Sequence, residues 1–233
     1  MMIKKHIPNF ITCLNLLSGM TGIHFVLDGN IHYGAYFIIL AAIFDFLDGF
    51  LARILKVHSE IGKQLDSLAD LVTFGVLPAF IIFQWISSVD PTPTFSYFAL
   101  VIGVFSALRL AKFNVDTRQS DRFIGVPTPA NALLISTLPF LYDSFPKTLA
   151  WLINPISLVA ISIIMSLLLV AEIPLIALKF KDFTVSNNVF RYLTIFIALI
   201  CISVLGLAGV PLLIISYIGL SILEGAIVKN KKS

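Results

Sequence analysis

Charge is scarce in this chain. Only 12% of its 233 residues are Asp, Glu, Lys or Arg, about half the share found in soluble domains. That scarcity excludes an ordinary water-soluble globule. With 58% hydrophobic residues and a mean hydropathy of +0.97, so short a chain cannot hide its apolar surface in one core. Cysteine is scarcer still. Cys13 and Cys201 both lie inside apolar runs, so no disulfide framework is implied and each reads as a small buried hydrophobe. His6, His24, His32 and His58 show no metal-ligand spacing. No low-complexity segment or long linker interrupts the chain, and no nucleic-acid partner is expected.

Long apolar runs are what the chain has instead. Eight segments approach the roughly 20 residues a membrane helix needs. They lie near 9–28, 33–56, 63–86, 95–115, 128–144, 149–178, 189–207 and 210–228. The first follows two lysines, as in a signal peptide, but it is too long for an h-region and no small-x-small site ends it, so it reads as a retained helix. The sixth contains Glu172 and Pro174 and is expected to break or leave the bilayer there. The expected fold is an all-α polytopic bundle. Residues 1–178 would form a core, and 179–233 would add two C-terminal helices.

The basic residues support this layout. If the connections alternate sides, the N-terminal side holds fifteen Lys and Arg residues and the opposite side holds only Lys147. So strong a bias places both termini in the cytoplasm and makes the span number even.

Ionisable residues inside spans signal function by default. Asp45 and Asp48 lie three apart on the second segment, and Asp66 and Asp70 four apart on the third. Each pair shares a helix face. The hairpin turns near residue 57, so Asp48 lies level with Asp66, and Asp45 level with Asp70. All four can converge two to three turns below the surface. A lone aspartate in a span is commonly paired with Lys or Arg, but four carboxylates repel at low dielectric. A hard divalent cation resolves that, and Mg²⁺ or Mn²⁺ prefers oxygen ligands. Gly49, Ala52 and Gly62 line the same faces and allow close approach or room for a ligand. Arg53 sits at the mouth, placed to meet a phosphate.

The run Asp45-x₂-Asp48-Gly49-x₂-Ala52-Arg53-x₈-Gly62-x₃-Asp66-x₃-Asp70 resembles, without departure, the signature of the CDP-alcohol phosphatidyltransferases. That resemblance implies transfer from a CDP-linked lipid to an alcohol, with release of CMP. It implies that Asp45, Asp48 and Asp66 ligate metal, and that Asp70 approaches the metal and acts as general base. Gly49, Ala52, Arg53, Gly62 and Ser59 would contact the CDP-lipid. Pro8, Asn9 and Thr12, matching a Pro-Asn-x-x-Thr stretch, would lie against the nucleotide. A homodimer is also implied.

The segment from Ala107 to Ala132 is similar to one that marks the membrane-spanning phosphatidylserine synthases of that family. Arg109, Leu110, Ala111, Phe113, Asn114, Phe123, Gly125, Pro127, Pro129 and Ala130 carry the likeness. Lys112 stands where Arg is commoner, and Asn131 where a small residue is expected. The likeness implies CDP-diacylglycerol as donor and L-serine as acceptor, at the cytoplasmic face of the cell membrane. Arg109, Asn114, Arg118 and Arg122 are the candidate acceptor ligands, although cytoplasmic arginines also answer the positive-inside rule. Two other readings stand beside it. One is the same chemistry with glycerol 3-phosphate or inositol phosphate. The other is a divalent-cation transporter, which the apolar outer halves of the helices oppose. Glu172 and Glu224 have no role in either and are expected at helix–helix contacts.

Overall fold

A computed structural model describes residues 2–57, 59–90, 94–116, 123–176, 182, 184–185 and 188–230. Eight long helices account for most of them: α1 (Met2–Leu27), α2 (Ile31–Ile54), α3 (Glu60–Val89), α4 (Ser96–Val115), α5 (Thr128–Ser144), α6 (Pro155–Val170), α7 (Val189–Leu205) and α8 (Val210–Asn230). Each falls on one of the eight apolar segments, although the bounds of α1 and α6 differ from those expected. Among the described residues, α1, α2, α3, α4 and the stretch Val189–Ile227, which takes α7 and α8 together, are long and apolar enough to cross a membrane. Phe10, Phe46, Val104, Ile156, Phe196 and Val204 are exposed on the outer surface, which is stable only if the solvent is hydrocarbon. The chain is an integral membrane protein built as an all-α bundle.

The turns between helices follow from their sequences. Asp28-Gly29-Asn30 ends α1 with Gly29 at a φ of +91°. There Asn30 N–H donates to the Phe25 carbonyl and Gly29 N–H to that of Val26, both at 3.0 Å, the left-handed helix stop that glycine favours. The α2–α3 turn uses the same device with a lysine. Lys56 has a φ of +52°, and Val57 N–H reaches back to the Ala52 carbonyl at 3.0 Å. Ser59 then caps α3, accepting from Gly62 N–H at 3.0 Å. Two residues beyond the cap the new helix is fully formed, so the hairpin is tight.

α3 is not a uniform helix. Directly after Asp70 it widens into a π turn over Leu71–Val76. Pro78 follows, and its ring can neither donate to nor approach the carbonyl four residues earlier. The wide turn absorbs that mismatch.

α6 begins at Pro155, six residues later than expected, because Asn154 caps it, accepting from Ile156 N–H at 2.9 Å. It ends at Val170, before Glu172 and Pro174, as the sequence suggested. Its 16 residues span about 24 Å, less than the hydrocarbon thickness. The chain beyond α6 runs as an extended strap. Its strand β2 (Pro174–Leu175) pairs antiparallel with β1 (Phe123–Ile124), and Gly125 N–H donates to the Ile173 carbonyl at 3.0 Å. Gly125 needs to be glycine: its φ is +75°, and a Cβ would lie 2.5 Å from the Leu169 carbonyl oxygen.

Two apolar clusters hold the bundle. One joins Val26, Ile38, Phe74, Leu77 and Ile81 from α1, α2 and α3. The larger gathers Ile82, Ile86, Ile102, Ile135 and Leu158, and takes in Ile214 and Ile218 of α8. α8 therefore packs into the common core. Arg191 of α7 and Glu224 of α8 pair at 3.9 Å, which gives Glu224 the helix–helix role expected of it. The expectation of two buried cysteines fails: Cys13 is exposed and Cys201 half-buried. Their apolar runs face outward as well as inward, because the surrounding medium is also apolar.

Candidate active site

α1 carries Thr12, Asn15 and Ser18 at helical spacing, a polar stripe in an otherwise apolar helix. All three are buried. The stripe faces the α2–α3 hairpin. Ser18 Oγ donates to the Phe37 carbonyl at 3.0 Å, Thr12 Oγ1 to Asp48 Oδ2 at 2.5 Å, and Asn15 Nδ2 to Asp70 Oδ1 at 3.2 Å. Close approach makes these bonds possible. Gly19 packs directly on Thr73, with no room for a side chain, and Thr73 Oγ1 donates to the Asn15 carbonyl at 3.2 Å.

The hairpin brings Asp45, Asp48 and Asp66 together, with one carboxylate oxygen of each within 4.8 Å of the others. Carboxylate oxygens gathered this closely could be drawn onto one shared hard cation. Asp66 Oδ1 is buried with no hydrogen-bond partner among the described residues. An all-carboxylate set with an unsatisfied buried oxygen suits a hard divalent ion. Asp70 is not in this trio. It lies one turn beyond Asp66, within electrostatic reach of Asp45, Asp66 and Asp48, and Asn15 holds it from α1.

Beside the trio opens a cleft of about 510 Å³, lined by Pro8, Asn9 and Thr12 of α1, Asp48, Gly49, Ala52 and Arg53 of α2, and Ser59, Gly62, Lys63 and Asp66 of α3. Its size is that of a small-molecule site. Every residue expected to bind the CDP-lipid is in this wall. Two glycines do different work there. A Cβ at Gly49 would meet nothing within 4 Å, whereas one at Gly62 would lie 2.9 Å from both Asn9 Oδ1 and Ser59 Oγ. Gly49 keeps the cleft open, and Gly62 lets α1 close on α3. Arg53 is exposed at the mouth, its Nε donating to the Gly49 carbonyl at 3.0 Å. Lys63 also lines the cleft and was not anticipated, though it follows the motif glycine directly. Its Nζ donates to the Asn114 carbonyl at 3.1 Å.

The acceptor candidates separate. Asn114 ties α4 to α3, its Nδ2 donating to Ser67 Oγ at 2.8 Å, and it is not in the cleft wall. Arg118 and Arg122 lie outside the described residues. Arg109 is buried at 7% exposure. Its Nη1 donates to Thr128 Oγ1 at 3.4 Å, its guanidinium stands 5.3 Å from the Phe113 ring centre, and it lies within electrostatic reach of Asp70.

The family model for CDP-alcohol phosphatidyltransferase matches residues 5–219. The chain belongs to the CDP-alcohol phosphatidyltransferase family. Its relatives include a CDP-diacylglycerol–serine O-phosphatidyltransferase of Bacillus subtilis, 37% identical over 140 residues, which covers 60% of this chain and 78% of the relative. Another of that name, from Mycobacterium leprae, is 34% identical over 216 residues, 90% of this chain and 69% of the relative. An archaetidylserine synthase of Methanothermobacter thermautotrophicus is 36% identical over 138 residues, 56% of each chain.

Proposed function

We propose that this protein is a CDP-diacylglycerol–serine O-phosphatidyltransferase, working at the cytoplasmic face of a cell membrane as a homodimer. The carrying observation is the aspartate trio at the edge of a cleft whose wall contains Asp48, Asp66 and every residue expected to bind the CDP-lipid. The names of the relatives support serine as the acceptor. The excess of basic residues in alternate connections supports the cytoplasmic orientation.

Asp45, Asp48 and Asp66 would hold the divalent cation, Mg²⁺ or Mn²⁺, with Asp70 beside them. When bound, such an ion neutralises diphosphate charge and polarises the phosphoryl group. Thr12 fixes one oxygen of Asp48. Arg53 supplies a positive charge at the mouth, where a diphosphate enters from the bilayer interface. Asn15 occupies Oδ1 of Asp70, which leaves Oδ2 to accept the proton of the serine hydroxyl. The serine oxygen bonds to the phosphorus that carries diacylglycerol. The bond from that phosphorus to the bridging diphosphate oxygen breaks, and CMP leaves with the electron pair.

The test is CMP release by the purified protein given CDP-diacylglycerol and Mn²⁺ or Mg²⁺, with serine, glycerol 3-phosphate or inositol in turn. Release with serine alone, abolished by chelator, is the expected result. Release only with another alcohol would keep the chemistry and overturn the acceptor. Metal flux into proteoliposomes without CMP formation would overturn the enzyme reading. The archaetidylserine synthase relative shares serine and names another lipid, so an ether-linked CDP-lipid belongs among the donors tried.

A further inference from the structure

α4 ends on the side where α5 begins, so the two helices run antiparallel and meet with polar faces. Ser106 and Arg109 lie one turn apart on α4. Thr128 and Asn131 lie one turn apart on α5. All four are at least nine-tenths buried: Ser106 and Asn131 at 0%, Thr128 at 1% and Arg109 at 7% exposure. The Arg109–Thr128 hydrogen bond joins the two helices, and Ser106 and Asn131 each lie one turn further along their own helix from that bond. α3 closes the third side. A Cβ at Gly75 would stand 2.8 Å from Ser106 Cβ, and Gly75 belongs to the π turn that directly follows Asp70.

Most of the polar atoms in this quartet are unsatisfied. Ser106 Oγ, Arg109 Nε and both amide atoms of Asn131 have no hydrogen-bond partner among the described residues. An asparagine amide offers two donors and an acceptor with two lone pairs, and burying it unpaired is costly. Such groups persist in native proteins when a ligand or an ordered water completes them. The donor set points to a ligand class. A guanidinium suits a carboxylate. An amide oxygen and a hydroxyl oxygen accept from an ammonium. The nearby Asp70 accepts from a hydroxyl. A phosphorylated alcohol would need cations beyond Arg109, and a neutral polyol would leave the guanidinium uncompensated.

We propose that Ser106 and Asn131 complete, with Arg109, the pocket that selects a zwitterionic amino alcohol as acceptor. The inference deepens the serine reading above and rests on it. Asn131 is where this chain departs from the small residue expected in the segment, and the departure makes that residue a binding group.

The experiment uses the full chain and the variants Asn131→Ala and Ser106→Ala. It measures the KM for serine, the KM for CDP-diacylglycerol, and Tm with and without L-serine. The expected serine KM rises by about tenfold or more, while the donor KM is unchanged. The rise in Tm that serine gives the wild type disappears. Without serine, Asn131→Ala melts no lower than wild type, because it removes an unpaired amide. A serine KM that stays put in both variants overturns the inference and leaves the residues completed by water. A wild type that uses glycerol 3-phosphate and not serine overturns the acceptor reading itself, which separates the two failures. Should Asn131→Ala fail to fold, Ser106→Ala, which removes a single oxygen, decides by the same readouts.

Discussion

Thr12 of α1 donates a 2.5 Å hydrogen bond to Asp48 of α2, a bond between residues 36 apart in sequence. The same hydroxyl lies 3.1 Å from the Pro8 carbonyl, but it has one proton to give, and a carboxylate takes it more strongly. The bond fixes which Asp48 oxygen faces the trio.

Thr12→Val keeps the shape of the side chain and removes the donor. A hydrogen bond to a charged group contributes about 1.5–3 kcal/mol. The Mn²⁺ concentration for half-maximal activity should therefore rise by about tenfold or more, with Tm little changed. A metal titration of CMP release checks this, and an unaltered titration curve would separate Thr12 from the metal ligands.

The two cleft glycines should respond oppositely to alanine. Gly49→Ala meets no protein atom, so Tm should stay within experimental error while the KM for the CDP-lipid rises. Gly62→Ala presses on Asn9 and on the Ser59 cap, so stability should fall by the roughly 1 kcal/mol that a lost cap costs, and Tm with it. Thermal unfolding beside donor kinetics distinguishes them.

Asp70→Asn preserves a partner for Asn15 and removes the proton acceptor. General base catalysis contributes about 10²–10⁴-fold, so kcat should fall by that order while CDP-lipid binding persists. Loss of binding together with turnover would instead assign Asp70 to the metal.

Tyr217 and Ser221, one turn apart on α8, hold Ile176 at both main-chain groups. The Tyr217 hydroxyl donates to its carbonyl at 2.9 Å, and its N–H donates to Ser221 Oγ at 3.2 Å. Ile176 directly follows β2 of the strap, which pairs with β1 a few residues before Thr128. The double variant Tyr217→Phe, Ser221→Ala should lower stability by about 1–3 kcal/mol per unpaired group. It should raise the serine KM more than the donor KM, as kinetics on the purified variant would show.

Much of this arrangement was legible in the sequence. Counting residues from the hairpin turn put Asp48 level with Asp66 and Asp45 level with Asp70, because helical rise is fixed and the turn is short. That count could not show what holds Asp70. Asn15 reaches it from another helix, and no spacing within α2 and α3 carries that information, although the stripe Thr12, Asn15, Ser18 was visible. Asn154-Pro155 carries the cap-and-proline pattern that starts α6, and the expected start at 149 overlooked it. The strand pair did not announce itself, since two-residue strands have no periodicity. Asn114 is an acceptor candidate by its segment alone, and no spacing announced that its side chain ties α4 to α3 through Ser67.

The tight turn at Lys56 has a consequence for how the site assembles. Asp45 and Asp66, 21 residues apart in sequence, meet through the closure of one short loop, which costs little entropy. The donor half is therefore low in contact order and can order itself as soon as three helices exist. The acceptor half is knit from later parts of the chain. Arg109 meets Thr128, and the strap before α7 is fastened only when Ser221, 45 residues past Ile176, arrives. A nascent chain would bring the three aspartates together before it fastens Arg109 to Thr128.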